Sequence, residues 1–211
     1  MKTSDFDYHL PEELIANYPL DIRSSSKLLV YNNQIEHKTF RDVLDYFKEG
    51  DLLVVNNTSV IPARIYGNKE SGGSVEVMLE RIMEDNTALV QIRSGRSPKI
   101  GTIIFLDQYK VQCIDRQDNF FILQFDRPPL VIFNKIGNVP LPPYIKRLEE
   151  DLDKDRYATV YENKNLQESV AAPTAGLHFD NELLKDLKKL GVKIATVNLS
   201  VGAGKFQRVK V

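Results

Sequence analysis

The sequence predicts a discontinuous α/β domain, residues 1–65 with 126–211, carrying an inserted all-β, antiparallel barrel-like domain over residues 66–125. Three observations predict it. Apolar residues recur at helical spacing towards both ends of the chain. That spacing vanishes between about Ile61 and Phe125. Short apolar runs of strand length flank the helical stretches on both sides.

Lys27–Tyr31 reads as a short buried strand. Phe40, Val43, Leu44 and Phe47 then mark one face of a helix, with Thr39 as N-cap, Asp42 at its third position and Gly50 just past its end. Asp51–Val55 reads as the next strand. Within the β block, Ser74–Ile82, Thr87–Ile92, Thr102–Leu106, Tyr109–Ile114 and Phe120–Phe125 are rich in β-branched and aromatic residues. Ser71-Gly72-Gly73, Glu84-Asp85-Asn86, Gly95 to Gly101 and Gln117-Asp118-Asn119 supply the turns between them. Such regular spacing predicts a small antiparallel barrel or sandwich. Arg127-Pro128-Pro129 closes the block. Leu183, Leu184, Leu187 and Leu190 then form an apolar helical stripe, capped by Asp180 and stopped by Gly191, before the strand Ile194–Leu199.

Composition narrows the function. The chain has 211 residues, enough for one large or two small domains, with 42% hydrophobic and 27% charged residues. A net charge of −1 leaves no overall electrostatic footprint for nucleic acid, so RNA binding requires a local patch. Cys113 is the sole cysteine, which excludes an internal disulfide and a cysteine metal cluster, and its strand setting marks it as a structural thiol. His9, His37 and His178 show no ligand spacing. The first residues carry early acids and no apolar run, and no segment has membrane-spanning length, so a cytoplasmic protein is expected.

Two segments stand out chemically. In Ser169–Phe179, small residues around Pro173 and Gly176 let a ligand approach the backbone, Thr174 offers a hydroxyl, and His178 offers a base that titrates near neutrality. The bland reading is a tight loop with a satisfied histidine. In Gly137–Arg147, three prolines fix an extended path that ends on Tyr144 and Arg147. Those two suit base stacking and phosphate or carboxylate holding, and the bland reading is a rigid connector. Val201-Gly202-Ala203-Gly204-Lys205 lacks the residues of a phosphate loop and reads only as a glycine turn where ligands approach. Arg64, at the entrance to the β block, reads equally as an anion holder or an interdomain ion pair. Charge clusters at Arg93, Arg96 and Lys99, and at Lys205, Arg208 and Lys210, are solvated surface by default.

The motifs VAAPTAGLHF at Val170–Phe179 and VPLPPYIKR at Val139–Arg147 resemble those of the S-adenosylmethionine:tRNA ribosyltransferase-isomerase family of queuosine biosynthesis. DFDYHLPEELIANYPL at Asp5–Leu20, SKLLV at Ser26–Val30, GDLLVVNNT at Gly50–Thr58 and VIPARIYG at Val60–Gly67 continue the resemblance in order. GGSVEVML at Gly72–Leu79 and DRYATVY at Asp155–Tyr161 extend it over essentially the whole chain.

The resemblance implies a transferase and isomerase that moves the ribosyl group of S-adenosyl-L-methionine, without a metal, onto 7-aminomethyl-7-deazaguanine in tRNA. It implies a monomer, His178 and Thr174 as catalytic residues, and Pro173, Gly176, Pro142, Tyr144, Arg147, Arg64, Gly202 and Gly204 as substrate contacts. This sequence departs from the family at Ser200, where histidine is usual, at Lys205 for threonine and at Arg208 for proline. Ser59 stands for a basic residue and Ala158 for glutamine. Family members continue beyond this motif, whereas this sequence stops on the strand-like Phe206–Val211. The departures carry an alternative expectation: a C-terminally truncated, inactive remnant that at most binds RNA, with its outer sheet incompletely covered.

Overall fold

The computed structural model describes residues 2–206. Short 3-10 turns at Thr3–Phe6, Glu12–Leu14 and Arg23–Ser25 lead into β1 (Lys27–Tyr31) and β2 (Ile35–Thr39), an antiparallel ribbon. The helix expected after Thr39 forms as a 3-10 helix, Phe40–Tyr46. Asp42 Oδ2 accepts from both the amide and the hydroxyl of Thr39 at 2.8 Å, so the expected capping partners do meet. Phe40/Val43 and Leu44/Phe47 lie three residues apart, a spacing that three residues per turn satisfies as well as 3.6. Both pairs pack against Phe179, Leu183 and Leu187.

β3 (Leu52–Asn56) and β4 (Ser59–Val60) precede the barrel. The barrel comprises β5 (Arg64–Lys69), β6 (Ser74–Ile82), β7 (Thr87–Ser94), β8 (Ile103–Leu106), β9 (Tyr109–Gln117) and β10 (Phe120–Gln124). These six antiparallel strands close in the order β10-β7-β6-β5-β8-β9. Alternation builds the interior: Val75, Val77 and Leu79 of β6 and Tyr109, Val111 and Cys113 of β9 are buried, with exposed or half-buried neighbours between them. The expected turn residues do what their chemistry allows. Asp85 and Asn86 both take positive φ, 54° and 56°, in a tight hairpin closed by Thr87 N donating to Glu84 O at 3.0 Å. Cys113 lies in the barrel core as a free thiol.

After the barrel come α1 (Pro129–Ile136), α2 (Asp151–Arg156), β11 (Gln167–Ser169), a 3-10 turn at Thr174–His178, α3 (Asn181–Lys189) and β12 (Lys193–Val197). Asp180 caps α3, its Oδ1 accepting from Leu183 N at 2.8 Å, and Gly191 takes φ +90° at the stop. Leu183 and Leu187 are buried while Leu190, the last of the stripe, is 40% exposed. The two ends of the chain meet as parallel pairs, β12 with β3 and β11 with β4. Leu52 and Val54 on the outer face of β3 are 57% and 52% exposed. The strand expected over Phe206–Val211 is not seen at its start, where Phe206 ends a 3-10 turn, Ala203–Phe206; residues 207–211 lie outside the described residues.

One apolar core runs from the barrel into the flanking segments. Ile61 and Ala63 before it, and Ile132, Phe133, Val170 and Ala203 after it, are buried with the barrel interior. The chain enters and leaves the barrel at one place, where Arg64 and Asn138 exchange backbone hydrogen bonds of 3.1 and 2.7 Å.

Candidate functional site

The loop that begins at Val170 is tethered before it turns. Val170 N donates to Val201 O at 2.9 Å and Val201 N donates to Ser169 Oγ at 2.8 Å. Val170, Ala171 and Ala172 are buried, and Pro173 opens the 3-10 turn Thr174–His178. Gly176 is required by contact, since a Cβ there would lie 2.1 Å from Tyr161 Oη and 3.0 Å from Thr159 Cγ2. His178 is half-buried, its ring 5.2 Å from that of Phe40. Burial, then the nearby Arg23 guanidinium, pull its pKa below the usual histidine value. The imidazole is therefore neutral at physiological pH and able to accept a proton. Arg23 is itself held by the carbonyls of Leu177 at 3.0 Å and Asp155 at 2.7 Å.

Hydroxyls underlie the loop. Tyr157 is buried, and its Oη faces the Ala172 backbone without completing a hydrogen bond among the described residues. Burial pushes its pKa up to about 12, so it stays a neutral donor. Thr159 Oγ1 is likewise buried without a partner among the described residues. Burial also raises Tyr161. Sequence reasoning noted Asp155–Tyr161 as a motif but did not mark these hydroxyls as site residues; the alternating Tyr157, Thr159 and Tyr161 were the available signal. Lys205 completes the surroundings, its Nζ donating to Ala172 O and approaching Thr174 Oγ1 at 3.4 Å.

The two motif segments pack together. Val139, Leu141, Tyr157 and Ala172 form a small buried cluster, joined by Ile145 and Leu177. Pro142 is buried within its segment, whereas Tyr144 is 55% exposed and available to a ligand. Arg147, expected to hold an anion, is instead committed inside the protein. Its Nη1 and Nη2 donate to the two carboxylate oxygens of Asp153 at 2.7 Å each, and Nε donates to Asn17 O at 2.8 Å. Its guanidinium also lies 4.2 Å from the centre of the Tyr18 ring.

Other expected residues lie elsewhere. Arg64 Nε is 3.1 Å from Glu76 Oε1, outside hydrogen-bonding geometry, an ion pair between the neighbouring strands β5 and β6. Gly202 lines a cavity of about 500 Å³ with Glu80, Glu168, Ser200 and Val170; His178 and Tyr144 do not line it. Gly204 is exposed, with open space around it. Arg208 and Lys210 lie outside the described residues. Among the described residues, no three His, Cys, Asp or Glu side chains are grouped to hold a metal, and no helix is long and apolar enough to cross a membrane.

Comparison with known proteins adds a context to this geometry. A family model described as "Queuosine biosynthesis protein" matches residues 3–211. A curated relative from Legionella pneumophila (strain Paris), an S-adenosylmethionine:tRNA ribosyltransferase-isomerase, is 49% identical over 214 residues, covering 100% of this chain and 63% of the relative. The crystal structure of an S-adenosylmethionine tRNA ribosyltransferase from Thermotoga maritima is 33% identical, with a TM-score of 0.38 over 93% of this chain and 58% of that one. This chain thus spans less than two thirds of either protein.

Proposed function

The chain belongs to the queuosine biosynthesis protein family, and from that premise we propose that it transfers and isomerises the ribosyl group of S-adenosylmethionine onto 7-aminomethyl-7-deazaguanine in tRNA, giving epoxyqueuosine. The observation that carries this reading is the 49% identity, along the whole chain, to a relative named for such an activity. S-adenosylmethionine enters as the ribosyl donor, and the route uses no resident metal. The protein acts as a cytoplasmic monomer.

The chemistry sets the demands on the site. The sulfonium of S-adenosylmethionine acidifies the adjoining 5′ carbon, and a base must take a proton there. Adenine then departs with the electrons of its glycosidic bond, the acceptor amine bonds to the rearranging ribosyl carbons and gives up a proton, and methionine leaves as a neutral thioether with the electrons of the sulfonium C–S bond. His178 is the proposed base: its neutral imidazole on a half-buried loop supports that role. Thr174 and the close-packed backbone at Pro173 and Gly176 contact the substrate, and exposed Tyr144 stacks on a base of the tRNA. Pro142 and Arg147 hold Tyr144 in place, while Gly202 and Gly204 leave room beside the loop. Arg64 acts at a distance, by fixing the Asn138 junction from which the proline segment starts. The division of work follows the expected domains, with residues 1–65 and 126–211 carrying the loop and residues 66–125 buttressing it.

The test is adenine release from S-adenosylmethionine by the purified chain with precursor-bearing tRNA. The reading requires adenine in amounts that depend on both substrates. Binding of the tRNA with no adenine formed would replace it by the non-catalytic RNA-binding role.

A further inference from the structure

Lys205 is delivered to the candidate loop by an anchored turn. Ala203 is buried in the barrel core, Val201 is tied to Ser169 and Val170, and Lys205 N donates to Gly202 O at 3.3 Å. Lys205 is itself an exposed residue, and the fixed turn directs its side chain back onto the loop. An ammonium has three N–H donors and no acceptor. Here two are directed at neutral oxygens, Ala172 O and Thr174 Oγ1, and Lys205 makes no ion pair among the described residues. The third donor and the positive charge are left for something else.

We propose that Lys205 holds an oxyanion of the bound ligand, a carboxylate or phosphate oxygen, beside Thr174 and the Ala172 carbonyl. Burial lowers the ammonium below its ordinary range, which is the condition an arriving anion relieves. The choice of ligand rests on the function proposed above. The sulfonium and amino groups of the donor are cations and are repelled from this position, so its carboxylate is the group that fits. In tRNA the fitting group is a phosphate flanking the acceptor base. Both are the same chemistry seen by one ammonium.

The experiment follows the Lys205 side-chain ammonium by NMR in the full chain labelled with ¹³C and ¹⁵N, which leaves its three N–H donors in place. Inorganic phosphate, S-adenosylmethionine, its decarboxylated analogue and precursor-bearing tRNA are titrated against wild type, Lys205→Met and Lys205→Arg. Phosphate is expected to shift the Lys205 signal. If the anion is the donor's carboxylate, Lys205→Met weakens S-adenosylmethionine about tenfold and leaves the decarboxylated analogue unchanged. If it is a tRNA phosphate, Lys205→Met weakens tRNA about tenfold and lowers the salt slope by roughly 0.7–0.9. Lys205→Arg retains most of the affinity in either case. A Lys205 signal indifferent to every probe overturns the proposal, as does a Met variant that binds all of them like wild type. Equal weakening of S-adenosylmethionine and its decarboxylated analogue by Lys205→Met, with tRNA binding unchanged, also overturns it. A phosphate response without donor or tRNA binding retains the oxyanion site and removes the proposed function. Donor and tRNA binding that are both present and both untouched by Lys205→Met do the reverse.

Discussion

Replacing Arg147 by alanine strands a carboxylate that folding has taken out of water. The Asp153 side chain is 4% exposed and that of Arg147 12% exposed, so both charges are largely desolvated and joined by two 2.7 Å hydrogen bonds. Breaking one side of such a pair costs about 3–5 kcal/mol, mostly the penalty of the uncompensated partner. Against a total stability of about 5–15 kcal/mol that is a large share. It corresponds to a melting-temperature fall of roughly 6–20 °C at this size. Urea unfolding at pH 7 measures it, and the double variant Arg147→Met/Asp153→Leu should recover to within about 1.5 kcal/mol of wild type, since no buried charge remains. The pH dependence has a fixed sign. The hydrogen bonds from Arg147, aided by the Glu150 amide and opposed by burial, hold Asp153 below the usual carboxylate value. The stabilisation is therefore complete above the unfolded value of about 3.9 and disappears as pH falls through the depressed folded value. The deficit of Arg147→Ala should shrink over the same range. A loss under about 1 kcal/mol at pH 7, or a deficit that grows in acid, would refute the reasoning.

Three further outcomes follow from the site and its supports. His178→Ala should lower kcat on the order of a hundredfold with little change in KM, and wild-type rate should fall on the acid side, below about pH 6.5, as the depressed imidazole protonates; near-normal turnover would make His178 structural. Gly176→Ala drives a methyl into Tyr161 Oη, so it should cost about 1–3 kcal/mol in thermal unfolding, partly restored by adding Tyr161→Phe. Gly137→Ala should be worse and beyond rescue by a side-chain change, because its Cβ would meet the carbonyl oxygens of Pro62 and Phe133 at 1.9 and 2.3 Å; unaltered melting would show that the backbone yields there.

The barrel was legible because alternation and turn chemistry agree along its length. Ser74–Ile82 alternates and ends near Asp85-Asn86, whose short polar side chains tolerate positive φ. The strand Arg64–Lys69 is short of apolar residues, with Gly67, Asn68 and Lys69 filling its second half, so no apolar run marks it. Gly67 is there because a side chain would strike Phe105 O at 2.3 Å where β5 and β8 approach. The strand Ile35–Thr39 was hidden by its charge, as an exposed ribbon needs no apolar run. At the site, the Pro- and Gly-marked loop could be picked out locally. Its setting could not, since Arg23, Phe40, Tyr157 and Lys205 reach it from segments far apart in sequence. No periodicity records such meetings, so Arg147 looked like a free cation until Asp153 and Tyr18 closed around it.

The bridge between Arg64 and Asn138 has a consequence for the order in which the molecule assembles. The antiparallel hairpins of the barrel join residues near in sequence, while β3 and β12 are separated by the whole barrel and more. Closing the barrel brings Arg64 and Asn138 together and takes the inserted residues out of the remaining loop. The entropy of joining β3 to β12 then falls on a shorter free chain. Folding is thus expected to begin in the local hairpins and finish with the distant parallel pairs. The loop bearing His178, lying between β11 and β12, acquires its final surroundings in that last step.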